Sequence, residues 1–122
     1  MDIIISNSSG DAIYKQIADQ IQEMILLGRL KEGEALPSMR LLAKELRISV
    51  ITTKRAYEEL ESMGLIESYT GKGSFVKGQN AELLKEKNLR EMEDNLKEAC
   101  EKAKLCGVSL NDMKELLEIM YE

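Results

Sequence analysis

The chain of 122 residues has no histidine, no tryptophan, one proline, two cysteines and only five aromatic residues, four Tyr and one Phe. Without His it lacks the side chain that titrates near neutrality, the usual general base and the commonest metal ligand. The two cysteines, Cys100 and Cys106, fall within one helical pattern and match neither a disulfide framework nor a zinc site. They read as small buried hydrophobes in a reducing, cytosolic setting. No run approaches the ~18 apolar residues of a membrane span. The opening MDIIISNSSGD has no basic segment ahead of a long apolar one, so neither a signal peptide nor a membrane partner is expected. Nor is there a nucleophile–base pair, a cluster of metal ligands or a phosphate loop. The expectation is therefore no catalytic residue, no metal and no cofactor. The scarcity of aromatics limits the chain to one small core plus an appendage, which often needs a partner to finish burying its surface.

What is present is concentrated between Leu36 and Tyr57. Met39, Leu42, Ala43 and Leu46 recur at helical spacing behind Pro37 and a capping Ser38. A second pattern begins after Ser49, placing Thr53, Ala56, Tyr57, Leu60 and Met63 on one face before Gly64. Two short helices with a three-residue joint predict a helix-turn-helix, whose second helix offers its N-terminal residues to base edges. This stretch holds Arg40, Lys44, Arg47, Lys54 and Arg55 against Glu45 alone, a local +4 in a chain of net charge −5. Phosphate binding requires such a patch. Arg40 stands in a first helical turn, where the dipole disfavours a cation by roughly 0.3–1 kcal/mol unless an anion arrives. Tyr14 and Tyr57 read as core residues rather than base-stacking ones.

The flanks complete a domain. Ile3-Ile4-Ile5 reads as a strand or an arm. Ile13, Ile17, Ile21, Met24 and Ile25 make an amphipathic helix over Asp11–Leu27 that ends at Gly28. Leu30–Ala35 reads as a turn into a short strand. Leu65–Tyr69 and Ser74–Lys77 flank Thr70-Gly71-Lys72-Gly73 as a two-stranded wing, whose tip can follow a phosphate backbone. The fold class expected is mainly α with a small β-wing.

After residue 78 the composition shifts to Glu, Lys, Leu and Met. Residues 79–122 carry seven cations and eleven acids, which is most of the net negative charge. Leu89, Met92, Leu96, Ala99, Ala103 and Cys106 form a heptad seam of nearly three repeats, stopped by Gly107. Ser109 and Asp112 are spaced as a capping box for a last helix, with Leu110, Met113, Leu116, Leu117 and Met120 on one stripe. Two amphipathic helices beyond a finished domain have nothing in their own chain to bury against, so these eleven residues are the expected homodimer interface. The expected domains are 1–78, a winged helix-turn-helix, and 79–122, a helical dimerisation region.

Across roughly residues 11–77 the sequence resembles the GntR superfamily of bacterial transcription regulators, and within it the short YtrA subfamily. The residues that carry the likeness are Ile13-Tyr14-x-Gln16-Ile17 and Gly28-x-Leu30-x-x-Gly33-x-x-Leu36-Pro37-Ser38-x-Arg40-x-Leu42-Ala43. They continue in Thr52-x-x-Arg55-Ala56-Tyr57-x-x-Leu60, Gly64-Leu65-Ile66 and Gly71-x-Gly73-x-Phe75-Val76. The resemblance implies that Ser38 and Arg40 contact the backbone and a base. It implies that Ser49, Thr52 and Lys54 line the recognition helix with Val50, Ile51 and Arg55, and that Thr70, Gly71, Lys72 and Gly73 form the wing tip. It also implies a homodimer on operator DNA, by default a repressor, with the C-terminal helices setting the half-site separation. The sequence leaves open a small-molecule effector, of unknown identity, in a cleft between the winged domain and the last helices.

Two positions depart from the family pattern. Position 47 is often Gly there and is Arg here, at a cost of about 1 kcal/mol if the turn is left-handed. Val50 stands where relatives carry Arg or another polar residue, so Val50 and Ile51 are expected against thymine methyls. The alternatives are a protein-interaction module that keeps the winged fold without reading DNA, and an enzyme, which the missing chemistry argues against.

Overall fold

The structure, a computed structural model, describes the backbone of residues 1–122 and the side chains of all but residues 79–81. Its elements are α1 (Ile13–Leu26), α2 (Met39–Leu46), α3 (Val50–Ser62), β1 (Ile66–Tyr69), β2 (Gly73–Val76), α4 (Gln79–Cys106) and α5 (Leu110–Tyr121). The chain divides into two compact units, Met1–Lys85 and Glu86–Glu122.

In the first unit, Ile17, Ile21 and Ile25 of α1 meet Leu42 of α2, Ala56, Tyr57 and Leu60 of α3, and Leu65, Ile66 and Val76 of the hairpin. The spacings that predicted amphipathic helices are the spacings that put these residues in one core. β1 and β2 pair antiparallel from Ile66↔Val76 to Tyr69↔Gly73. The wing is pinned to the helices at its base, where Leu65 N–H donates to the Leu60 carbonyl and Lys77 N–H to the Leu65 carbonyl. Leu84, within α4, packs on the same core, so the packed unit runs past the composition change at 78/79.

Several local readings are refined. α1 starts two residues later than the apolar pattern suggested, and its N-cap Ala12 offers no side-chain acceptor. The Leu30–Ala35 segment forms no named strand. It lies along β2 through one bridge, Ala35↔Phe75, and through hydrogen bonds from Gly33 N–H to the Val76 carbonyl and from Leu36 N–H to the Ser74 carbonyl. Gly33, at φ +81°, makes the turn that prevents a longer ladder. Residues 1–9 form an arm rather than a strand. Gln20 exchanges two hydrogen bonds with the backbone of Ile4, and Gln16 two with that of Ser6. Ile3 and Ile5, the alternate residues, pack on the core.

In the second unit Ser109 caps α5 by accepting from Asp112 N–H at 3.1 Å. Among the described residues the reciprocal bond of a capping box is not made, because the Asp112 side chain is one carbon shorter than the Glu the motif prefers. α4 and α5 leave an open apolar groove of about 450 Å³ between them. Leu96, Ala99, Ala103, Cys106, Leu110, Met113, Leu116, Leu117 and Met120, nine of the eleven seam and stripe residues, line it. Leu89 and Met92 continue the exposed apolar surface along α4. Only Ala103 in this unit is buried; Cys100 and Cys106, expected to be buried, are exposed in the single chain because no element of their own chain covers α4 there.

Candidate nucleic-acid interface

The reading elements are held from behind by two buried hydroxyls. Thr53, fully buried on α3, places Oγ1 3.0 Å from the Met39 carbonyl and 2.9 Å from that of Val50. Tyr57, also on α3, donates to the Pro37 carbonyl at 2.7 Å. Burial first, then the Glu45 carboxylate, pushes the Tyr57 hydroxyl well above the usual tyrosine range, so it remains a donor. Tyr57 thus bonds the Pro37 carbonyl just ahead of α2, and Thr53 adds a bond to the carbonyl of Met39, the first residue of α2. They fix the segment that presents Ser38 and Arg40.

Each helix of the motif has its expected cap. Ser38 Oγ accepts from Leu41 N–H and Ser49 Oγ from Ile51 N–H, both at 3.1 Å. The run Val50-Ile51-Thr52-Thr53 is β-prone in isolation. It is helical here because Thr53, Ala56, Tyr57 and Leu60 gain burial only on one helical face. The side of α3 turned away from the core then exposes Val50 and Ile51, the latter at 78%, together with Lys54. Two exposed β-branched side chains at the start of a helix are unusual on a soluble surface and suit contact with apolar base atoms.

Ser38, Arg40, Ser49, Lys54 and the wing-tip residues Thr70, Gly71, Lys72 and Gly73 are exposed, and Thr52 is half-buried. Gly71 and Gly73 take φ of +77° and +103°, which makes the hairpin tight enough to present Lys72 at its tip. The wing carries its own ion pair, Lys77 to Glu67 at 3.0 Å, and Tyr69 donates to the same carboxylate. These two donors, the Tyr69 hydroxyl foremost, hold the Glu67 carboxyl below the usual carboxylate range.

Arg55 is placed differently from the other cations. Its guanidinium lies 3.9 Å from the centre of the Tyr14 ring on α1 and donates to the Tyr14 hydroxyl at 3.3 Å. A stacked guanidinium of this kind ties α3 to α1, with about 0.5–1 kcal/mol for an exposed pair. Helical spacing could not reveal this, because the partner lies 41 residues away. The salt dependence of DNA binding measures how far Arg55 reaches phosphate. An Arg55→Gln variant is expected to lose a little thermal stability and keep the wild-type slope of log affinity against log salt. A slope lower by about 0.9 would make it a phosphate ligand instead.

Among the described residues no group of His, Cys, Asp and Glu is arranged to hold a metal ion, and no helix is long and apolar enough to cross a membrane. Two capped helices, a cationic exposed side and a glycine-tipped hairpin on one core are the parts of a winged helix. The sequence profile for bacterial regulatory proteins of the gntR family matches residues 13–76, from the start of α1 to the end of β2.

The chain belongs to the gntR family.

Membership places it among transcriptional regulators rather than enzymes. The likeness extends beyond the winged unit. The HTH-type transcriptional repressor YtrA of Bacillus subtilis is 34% identical over 116 residues, 95% of this chain and 89% of that protein. A structure described as YtrA from Sulfolobus acidocaldarius, a GntR-family transcription factor, is 38% identical with a TM-score of 0.60, covering 75% of this chain and 97% of that one. A structure described as a transcriptional antiterminator from Listeria monocytogenes matches all of this chain and 91% of its own, at 31% identity and a TM-score of 0.72. This gntR-family chain is therefore similar to YtrA-type regulators in its C-terminal helices as well as in its winged unit.

Proposed function

We propose that this protein is a sequence-specific DNA-binding repressor that acts in the cytoplasm as a homodimer on an inverted-repeat operator. The observation that carries the DNA reading is the exposed, capped N-terminus of α3, with Val50, Ile51 and Lys54 outward and Ser38 and Arg40 fixed beside it by Thr53 and Tyr57. In a helix-turn-helix this end of the second helix enters the major groove. Thr52 adds a hydroxyl for a base edge, and Lys72 at the wing tip adds a cation for the adjacent backbone.

The homodimer rests on the second unit. A helix pair that buries one alanine and exposes Leu96, Leu116 and Leu117 at 44–52% is an unfinished core. Most of the α4 seam and the α5 stripe face a common apolar groove, the kind of surface that a two-fold-related copy can cover with its own. A second copy of the same helix pair fits that chemistry. Two winged units joined through it would sit on two half-sites of opposite direction. Repression would follow from occupying the promoter; the Bacillus relative is itself named a transcriptional repressor.

Selection of bound sequences from random duplex DNA at moderate salt tests the whole reading. The expected product is an inverted repeat whose half-site spacing reports the separation of the two α3 helices. Recovery of no motif by the purified, folded protein would overturn the DNA reading. Recovery of single, unrepeated half-sites would overturn the dimer.

A further inference from the structure

Arg47 is the only non-glycine residue with positive φ among the described residues. It sits at the joint of the helix-turn-helix with φ 57° and ψ 47°, in the left-handed region. The local hydrogen bonds show why the backbone must be there. Ile48 N–H donates to the Ala43 carbonyl at 3.0 Å and Arg47 N–H to that of Lys44 at 3.3 Å, the paired bonds of a Schellman turn. That turn ends α2, sends Ile48 onto the core and brings the chain to Ser49, the cap of α3. Glycine fills this position without the steric conflict that a β-carbon introduces, and asparagine offsets that conflict by local hydrogen bonds of its short side chain. The joint therefore requires the conformation, and nothing in the fold requires arginine.

A second observation concerns charge. Arg40 and Lys44, four residues apart, share one side of α2, Arg47 follows three residues on at its left-handed end, and all three are exposed. Among the described residues none of them has an ion-pair partner; the pairs present involve Lys15, Lys54, Lys77 and Lys102. Like charges at these spacings repel, and Arg40 in the first turn also opposes the helix dipole. Backbone strain and unrelieved repulsion thus meet on one short element. Strain that the fold does not need is a mark of function. In a helix-turn-helix the first helix crosses the nucleic-acid backbone, which would supply a row of anions along this side.

We propose that Arg47 is a phosphate ligand, the last of a three-cation row with Arg40 and Lys44 that grips the DNA backbone where α2 crosses it. The inference rests on the DNA reading above and deepens it. Glycine at this joint can offer only its backbone, whereas arginine reaches outward with a planar donor fork matched to phosphate oxygens. The chain exchanges ease of folding at the turn for an additional anchor that carries no sequence information.

The test compares full-length wild type with Arg47→Gly, Arg47→Asn and Arg47→Lys, measuring thermal unfolding and DNA affinity across a salt series. Gly and Asn accept the left-handed turn, so both variants should unfold at or a few degrees above the wild-type temperature. Both should bind operator roughly five- to tenfold more weakly near 0.1 M salt, with the salt slope lower by about 0.9 for each subunit on the DNA. Binding to random duplex should weaken by the same factor, because a backbone contact does not read bases. Arg47→Lys should keep the slope. Wild type that binds operator while the Gly and Asn variants bind with unchanged affinity and slope would overturn the proposal and leave the DNA reading intact. Wild type that binds no duplex at all would overturn both.

Discussion

A Leu96→Glu variant is expected to sediment as a monomer and to lose two to four orders of magnitude in affinity for an inverted-repeat operator. Leu96 belongs to the second unit, where it lines the groove between α4 and α5 and is 44% exposed in the single chain. If a second copy closes the groove, a glutamate there must enter a mostly apolar contact, although Lys102 and Lys114 also line the groove. Burying a poorly paired carboxylate costs several kcal/mol. The loss of operator affinity follows from linkage rather than from damage to the reading head. Two winged units on one DNA bind the second half-site intramolecularly, an advantage on the order of 10²–10⁴. The winged unit should keep its own unfolding transition, because its core runs from Ile17 to Val76 with Leu84 and does not include Leu96. Analytical ultracentrifugation beside operator titration gives both readouts. A variant that remains dimeric would move the interface off this groove.

Arg40→Ala is expected to weaken operator binding by about 1–3 kcal/mol while leaving the dimer and the fold untouched. Arg40 follows the N-cap Ser38 by two residues, is exposed, and has no ion-pair partner within 4.0 Å among the described residues. Its removal relieves a cation from the positive end of the α2 dipole, so the free protein should be as stable as wild type or slightly more so. Stability held and affinity lost is the signature of a ligand-facing residue. A structural arginine would show the opposite pattern, with a lower unfolding temperature and proportionate loss of binding. The wing-tip Lys72 provides the comparison, since its truncation should reduce the salt slope without changing which sequences are bound.

Arg40 and Arg55 show how far residue type alone carries. Both are arginines in the cationic stretch and both are exposed, but Arg40 has no ion-pair partner among the described residues while Arg55 stacks on Tyr14. Their sequence environments do not separate them. The difference arises because α1 packs across α3 and brings a tyrosine from 41 residues away to one of the two guanidinium groups. Tyr14 was legible as a packing residue; its partner was not. The arm over residues 1–9 is a similar case. Its isoleucines announce burial, but only the fold shows Gln16 and Gln20 as its clasps.

The sequence by itself determined what depends on neighbours within a turn or two. Ser38, Ser49 and Ser109 cap the helices they precede, the apolar spacings name the residues of the winged core, and glycines at 71 and 73 turn the wing. These are local hydrogen bonds and periodicities, and a linear text records them directly. Tertiary structure decided what needs a distant partner. It made a helix of the β-prone Val50–Thr53, because that form buries Thr53 and Tyr57, which bond the carbonyls of Met39 and Pro37 at the start of α2. It reduced the Leu30–Ala35 strand to a single bridge on β2. It held Arg47 in a left-handed turn, because the path from α2 to α3 is set by the core beneath Ile48 and not by the preference of the residue at the bend.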